Sequence, residues 1–197
     1  MSANLAEEKA ILRKQIRKRM REVDPAVRSA IDQRICRQVM TLPQYKAAKT
    51  IFCYVGVDWE IDTTKLISDA LQHGKQVALP LCTAPGIMEA RLIQSTADLQ
   101  PGAYNIPEPR PSCALCPADA IEFAAVPCVS CDRTCLRLGQ GGGFYDRFLE
   151  DSSFYTAALC REEALLEQVP AEPWDRPVDC VVTESHLYFQ RFQSRSC

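Results

Sequence analysis

Five short apolar runs recur along this chain, separated by stretches of helical pattern or turn-rich sequence. They are TIFCYV (50–55), KQVALP (75–80), AIEFAAVP (120–127), FYTAALC (154–160) and VDCVVTE (178–184). Most lack the apolar–polar alternation of a strand with one wet face. Such runs are read as strands buried on both faces, the signature of a parallel sheet covered by helices. Between them lie helical patterns: Leu5 to Val23, with Leu12, Ile16 and Met20 on one stripe; 25–41; 63–74; and a helix from about Phe144. Asp24 is placed as an N-cap with Pro25 at the first helical position, and Thr63 or Asp62 caps the third helix, which Gly74 closes. KQVALP is expected to end at its proline, IMEARLI and HLYFQRF are further strand candidates, and 82–118 is otherwise loop. The expectation is one α/β domain over 1–197, a mostly parallel, doubly wound, Rossmann-like sheet flanked by helices. An N-terminal helical pair spans about 5–41, and a tail follows about 185.

Composition narrows the function classes. The formal net charge is -2, so no global field calls for nucleic acid or an anionic membrane. No apolar run approaches the length of a membrane span and no apolar export core opens the chain, so a cytoplasmic monomer is expected. Seven Lys/Arg fall between Lys9 and Arg21 without an acid, but no aromatics interleave them as single-stranded nucleic acid would require. Most are read as a solvated helix face, with Lys9 and Arg13, four apart, able to grip an anion.

Eight glycines serve the whole chain, and four of them lie in RLGQGGGFYDRFL (137–149). The segment follows a strand and a loop and leads into a helix, the place where open α/β sheets bind ligands. Bare backbone lets a phosphate reach N–H groups, and a helix N-terminus favours its charge. The segment matches neither a Walker A loop nor a dinucleotide fingerprint. Arg137 before it and Asp146 after it point toward a nucleotide phosphate with Mg²⁺. Asp179 opens the strand VDCVV, whose end delivers side chains to the same crevice, but from spacing alone either Asp reads first as a cap or a surface charge. No Ser-His or Cys-His pair suggests a protein nucleophile, and His73 and His186 are read as peripheral.

KAILR, VDWEIDT, YNIPEP, DRTCLRLGQGGGFYDRFL and VPAEPWDRPVDCVVTE occur in this order from about Lys9 to Glu184. In order and spacing they resemble the 5-formyltetrahydrofolate cyclo-ligases (5,10-methenyltetrahydrofolate synthetases), the bacterial members most closely. The resemblance implies ATP- and Mg²⁺-dependent closure of 5-formyltetrahydrofolate, with or without a polyglutamate tail, to 5,10-methenyltetrahydrofolate, ADP and phosphate. It implies that the formyl oxygen is phosphorylated, that N10 then attacks the activated carbon, and that phosphate leaves. Lys9, Arg13, Arg137, Leu138, Gly139, Gln140, Gly141, Gly142, Gly143, Phe144 and Tyr145 would bind ATP, with Arg137 and Tyr145 catalytic. Arg13, Val55, Glu60, Tyr104, Gln140, Gly141, Gly142, Gly143 and Phe144 would bind the folate. Asp146 and Asp179 would hold Mg²⁺.

The chain departs from the family pattern at PCVSCDRTCLRLG, where Cys128, Cys131 and Cys135 replace glycine, aromatic and small residues. With CALC this gives Cys113-x2-Cys116, an 11-residue gap and Cys128-x2-Cys131, a spacing that resembles zinc-ribbon or iron–sulfur sites. A central strand is expected between the two pairs, so zinc on Cys113, Cys116, Cys128 and Cys131 is the less favoured reading, behind structural or redox-sensitive thiols. Cys53 and Cys180 lie in apolar runs and read as buried small hydrophobes; Cys197 reads as exposed and free. The alternative from another class is a non-catalytic nucleotide, folate or metal sensor that kept the fold and uses these cysteines.

Overall fold

The structure, a computed structural model, describes residues 3–150, 152–172 and 175–190. Cys197 lies outside these residues, as do Pro173 and Trp174 of the motif VPAEPWDRP. The helices are α1 (Ala3–Glu22), α2 (Pro25–Thr41), α3 (Pro43–Ala47), α4 (Thr64–Gln72) and α5 (Phe144–Leu149). The strands are β1 (Thr50–Phe52), β2 (Gln76–Ala84), β3 (Ile87–Ile93), β4 (Leu99–Pro101), β5 (Pro107–Pro109) and β6 (Phe123–Pro127), followed by β7 (Ser130–Cys131), β8 (Arg137–Leu138), β9 (Tyr155–Leu159), β10 (Cys180–Val182) and β11 (Leu187–Phe189). None of the described helices is long and apolar enough to cross a membrane.

Seven strands form one sheet in the order β11-β10-β9-β6-β1-β2-β3. The five central strands are parallel, and β3 and β11 close the edges as antiparallel partners. The apolar runs explain this placement. Along β1, Ile51 and Phe52 are both fully buried, but Ile51 packs with α2, α3 and α4 on one face and Phe52 with α1 and α5 on the other. Phe123 and Ala124 of β6 alternate in the same way. A central strand must therefore be apolar at every position, which is why an unbroken apolar run without alternation marks it in the sequence. The Asp24 cap is as expected, its carboxylate accepting from Ala26 and Val27 N–H groups, worth about 1 kcal/mol. At α4 the bond comes from Asp62, whose Oδ1 accepts from Thr64 N, and the Thr63 side chain makes no cap.

Besides the short antiparallel pair β4–β5, which lies in a segment expected to be loop, two features differ from the sequence expectation. β2 does not stop at Pro80 but runs to Ala84, because β1 pairs with it only as far as Ala78. Beyond that point β2 has a partner on one side alone, and proline is tolerated there as on an edge strand. The segment between β6 and the glycines is not open loop either. β7 and β8 form a hairpin whose turn is organised by fully buried Asp132. Its Oδ1 accepts from Thr134 N and Oγ1 and from Leu136 N, its Oδ2 accepts from Val169 N, and Cys135 adopts φ 69° inside that turn.

Candidate active site

From β1 the chain continues to β2 on one side, whereas β6 lies on the other side of β1 and leads on to β9 and β10. The crevice beyond the carboxyl ends of β1 and β6 is the topological switch point, where doubly wound sheets bind ligands. The loop 53–63 leaves β1 there and carries Val55 and Glu60. It is drawn tight at Gly56, where any Cβ would lie 1.8 Å from the Ile61 carbonyl oxygen. Its far side is clamped by buried Arg161, which donates to the carbonyls of Trp59 (2.7 Å) and Glu60 (2.9 Å) and pairs with buried Asp32 through both carboxylate oxygens at 2.8 Å. Asp32 Oδ2 also accepts from Asp62 N. Neither residue was singled out from sequence.

The glycine segment closes over this loop. Gln140 Nε2 donates to Glu60 Oε1 (2.7 Å), and Glu60 Oε2 accepts from Val57 N. Burial raises the Glu60 carboxyl above its usual range, and these two donors act against the shift. Arg13 Nε donates to the Gly139 carbonyl (2.8 Å), and desolvation lowers the Arg13 guanidinium from its ordinary value. One turn along α1, Arg17 donates to Gln140 Oε1 (2.6 Å) and lies over the Trp59 ring, with its Nε buried and unpaired. Arg17 was not singled out, although Lys9, Arg13 and Arg17 form one series at four-residue spacing. The basic helix is thus less a solvated face than expected. Arg13 and Arg17 bind the glycine segment, Arg19 donates to the Glu163 carbonyl and Arg21 pairs with Asp58.

Arg137 of β8 has its side chain buried; it bonds the Asp146 carboxylate and lies over the Tyr145 ring. Tyr145 packs against Phe52, and burial pushes its hydroxyl well above the ordinary phenol range, so it stays protonated. Leu138 is buried and offers the site only its backbone. Arg147, also missed, donates to the carbonyls of Gly86 and Gly142, tying the β2–β3 turn to the glycines. Tyr104 is 73% exposed at φ 55°, with its ring 6.2 Å from Phe144 in an edge-to-face pair. Strained backbone and an open aromatic together suit a ring-binding wall.

Three expectations are modified. Lys9 is buried and directed to Asp175, 2.6 Å away, with Glu172 at 4.0 Å. The two expected metal carboxylates are engaged separately. Asp146 is exposed on α5 against Arg137, whereas Asp179 precedes β10 and accepts from both Thr156 N and Oγ1 at 2.7 Å. The four-cysteine zinc set is corrected. Cys116 hydrogen-bonds through its backbone N to Ala90 beside β3, and the sulfurs that converge are those of Cys128, Cys131 and Cys160.

Gly141, at φ 97°, faces the Arg13 guanidinium, which would lie 3.4 Å from an added Cβ. Gly141→Ala places an L side chain in a backbone region costing about 1–2 kcal/mol. If this backbone holds a nucleotide phosphate, as its sequence leads one to expect, KM for that nucleotide should rise roughly tenfold with a far-UV spectrum like that of the parent; an unchanged KM would show that the loop's conformation does not matter to nucleotide binding.

Comparison with known proteins agrees with this geometry. The model of the 5-formyltetrahydrofolate cyclo-ligase family matches residues 5–184. The 5-formyltetrahydrofolate cyclo-ligase of Escherichia coli (strain K12) is 30% identical over 179 residues, covering 88% of this chain and 98% of the relative. That of Saccharomyces cerevisiae is 28% identical, covering 88% of this chain and 94% of the relative. The solved structure of Aquifex aeolicus 5,10-methenyltetrahydrofolate synthetase superposes with a TM-score of 0.85 at 28% identity, over 96% of this chain and 95% of that one. With a matching fold, a glycine cradle at the switch point and a family match over most of its length, the chain belongs to the 5-formyltetrahydrofolate cyclo-ligase family.

Proposed function

We propose that this enzyme closes 5-formyltetrahydrofolate to 5,10-methenyltetrahydrofolate at the expense of ATP, releasing ADP and phosphate. The observation that carries the reading is the joining of two half-sites: the arginine-lined glycine segment meets Glu60 through Gln140. A nucleotide held on one side is thereby set against a folate held on the other. Transfer of a phosphoryl group demands positioning and charge neutralisation more than a protein nucleophile, and the residues fit that demand.

Glu60 accepts two N–H bonds in the free protein, and the pterin's amine face presents the same donors in exchange. Val55 borders that position, and Tyr104 with Phe144 stacks on the ring. Arg13, Arg17 and Arg137 surround the glycine backbone with positive charge. Their task is to align the γ-phosphate with the formyl oxygen and to hold the charge that develops on it. Once the oxygen is phosphorylated, N10 attacks the formyl carbon and gives up its proton, the C–O bond breaks and phosphate carries the oxygen away. Lys9 reaches the phosphates by leaving Asp175 or stays as a strut beneath them; Tyr145, protonated, braces Arg137 and orders the cradle.

Mg²⁺ takes oxygen ligands and commonly binds through one or two carboxylates together with substrate phosphates. Asp146, exposed beside the cradle and using one oxygen on Arg137, meets that requirement. Asp179 is a less available ligand while Thr156 occupies it. The metal would neutralise phosphate charge during transfer.

The test is growth of the methenyl-folate absorbance band with protein, 5-formyltetrahydrofolate, ATP and Mg²⁺ under reducing conditions. Growth that needs both ATP and Mg²⁺ is the expected result. No growth from folded protein that still binds ATP would leave the cradle without the reaction and favour the sensor reading.

A further inference from the structure

The altered loop brings three thiols together at the base of the crevice. Cys128 follows β6, Cys131 lies in β7 and Cys160 follows β9, and their sulfurs lie within 4.8 Å of one another. All ten cysteines among the described residues are free, so no disulfide consumes these three. Cys128 and Cys160, with Glu60, Tyr54 and Arg161, line a cavity of about 10 Å³. That volume is about what a single water needs.

We propose that Cys128, Cys131 and Cys160 form a zinc site whose fourth position opens into this small cavity. Thiolates select soft or borderline ions over Mg²⁺ or Ca²⁺. Zinc bound by three sulfurs at about 2.3 Å holds them about 3.8 Å apart, so the observed cluster needs only small side-chain rotations to close on the ion. No fourth described cysteine, histidine or carboxylate belongs to the group, which argues against a four-cysteine iron–sulfur cluster. A trigonal monovalent copper site would leave the cavity without a role, whereas zinc's preferred tetrahedron uses it for one water.

The site has a structural consequence. Cys160 is followed directly by Arg161, the side chain that fixes the Trp59 and Glu60 carbonyls, and Cys131 O accepts from Leu166 N in the next loop. An ion on the three sulfurs would join the ends of β6 and β9 to the hairpin and hold the Arg161 clamp from behind. Such an ion would bind whether or not the protein carries out the cyclo-ligase reaction.

Reduced, metal-free protein is titrated with Co²⁺ and then with Zn²⁺. One equivalent of Co²⁺ should bind with sulfur-to-metal charge-transfer absorption and the visible bands of a tetrahedral site, and one equivalent of Zn²⁺ should abolish them. X-ray absorption at the zinc edge should count three sulfurs and one lighter ligand. Cys128→Ser and Cys160→Ser should each abolish the charge-transfer bands, and Cys113→Ser combined with Cys116→Ser should leave them intact. Failure of folded, reduced wild-type protein to bind either metal overturns the proposal, as does a count of fewer than three sulfurs. Loss of the bands in the Cys113/Cys116 double variant also overturns it. The sulfur count is made on the wild-type protein and stands even where a serine variant does not fold.

Discussion

Replacing Asp32 with alanine is expected to destabilise the protein by about 3–5 kcal/mol, the usual result of leaving one partner of a buried ion pair alone. For a chain of this size that lowers Tm by roughly 6–20 °C. The Asp32 and Arg161 side chains are 6% and 5% exposed, and each oxygen of Asp32 meets a different guanidinium nitrogen. Without the carboxylate, Arg161 keeps only two carbonyl acceptors, and a buried cation loses its counter-charge. Asp62 N–H loses its acceptor in the same step. The loop bearing Glu60 is the segment so anchored, and KM for the folate should rise with the loss of stability. Asp32→Leu combined with Arg161→Met should recover much of the Tm without recovering KM, because apolar replacement repairs the core and leaves the loop carbonyls unheld. Thermal unfolding followed by circular dichroism reads the first effect and initial rates read the second. A Tm change of under about 2 °C in Asp32→Ala would mean that water or a neighbour compensates the cation.

What the sequence disclosed and what it hid follow from how far apart the interacting residues lie. The central strands were legible because burial on both faces writes itself into consecutive residues, as in Phe123 to Val126. The cap at Asp24 was legible because its partners are two and three positions away. The glycine segment was legible because its requirement is local backbone. Asp32 and Arg161 are separated by 129 positions, and nothing around either residue marks the other. Arg17 belonged to a visible four-residue series, yet only the fold shows that it meets Gln140 while Arg13 meets Gly139 and Lys9 meets Asp175. Pro80 was misjudged because the length of β1, set elsewhere, decides whether β2 has two partners or one there. The cysteines show the same division. Cys128 and Cys131 could be paired by spacing, but Cys160 enters from another strand, and the more obvious pair at Cys113 and Cys116 goes elsewhere. Residue roles at the crevice came from family resemblance; the geometry adds which of them touch.

The second large effect is expected at Asp146. Asp146→Asn should lower turnover by a hundredfold or more, the scale on which loss of metal or electrostatic stabilisation of the transferring phosphoryl group is felt. Asparagine keeps an oxygen for Arg137, so the hydrogen bond and the cradle's shape survive, while the negative charge does not. That separates two explanations of a slow variant. If Asp146 serves the metal, the Mg²⁺ concentration giving half-maximal rate should rise together with the fall in kcat. If it serves only to anchor Arg137, Mg²⁺ dependence should stay as in the parent and the asparagine should be nearly as active. The Asp146 side chain is 69% exposed but that of Arg137 is 6% exposed, so the asparagine also removes the counter-charge of a buried cation. Tm is therefore read beside the rates, and the Mg²⁺ dependence is compared at a temperature where both proteins are folded. Asp179→Asn is the informative partner. Its carboxylate accepts from the Thr156 backbone and hydroxyl between two parallel strands, so the amide should show chiefly in stability. A shift in Mg²⁺ dependence there equal to that at Asp146 would mean that Asp179 leaves Thr156 when the nucleotide binds, and that both carboxylates hold the ion.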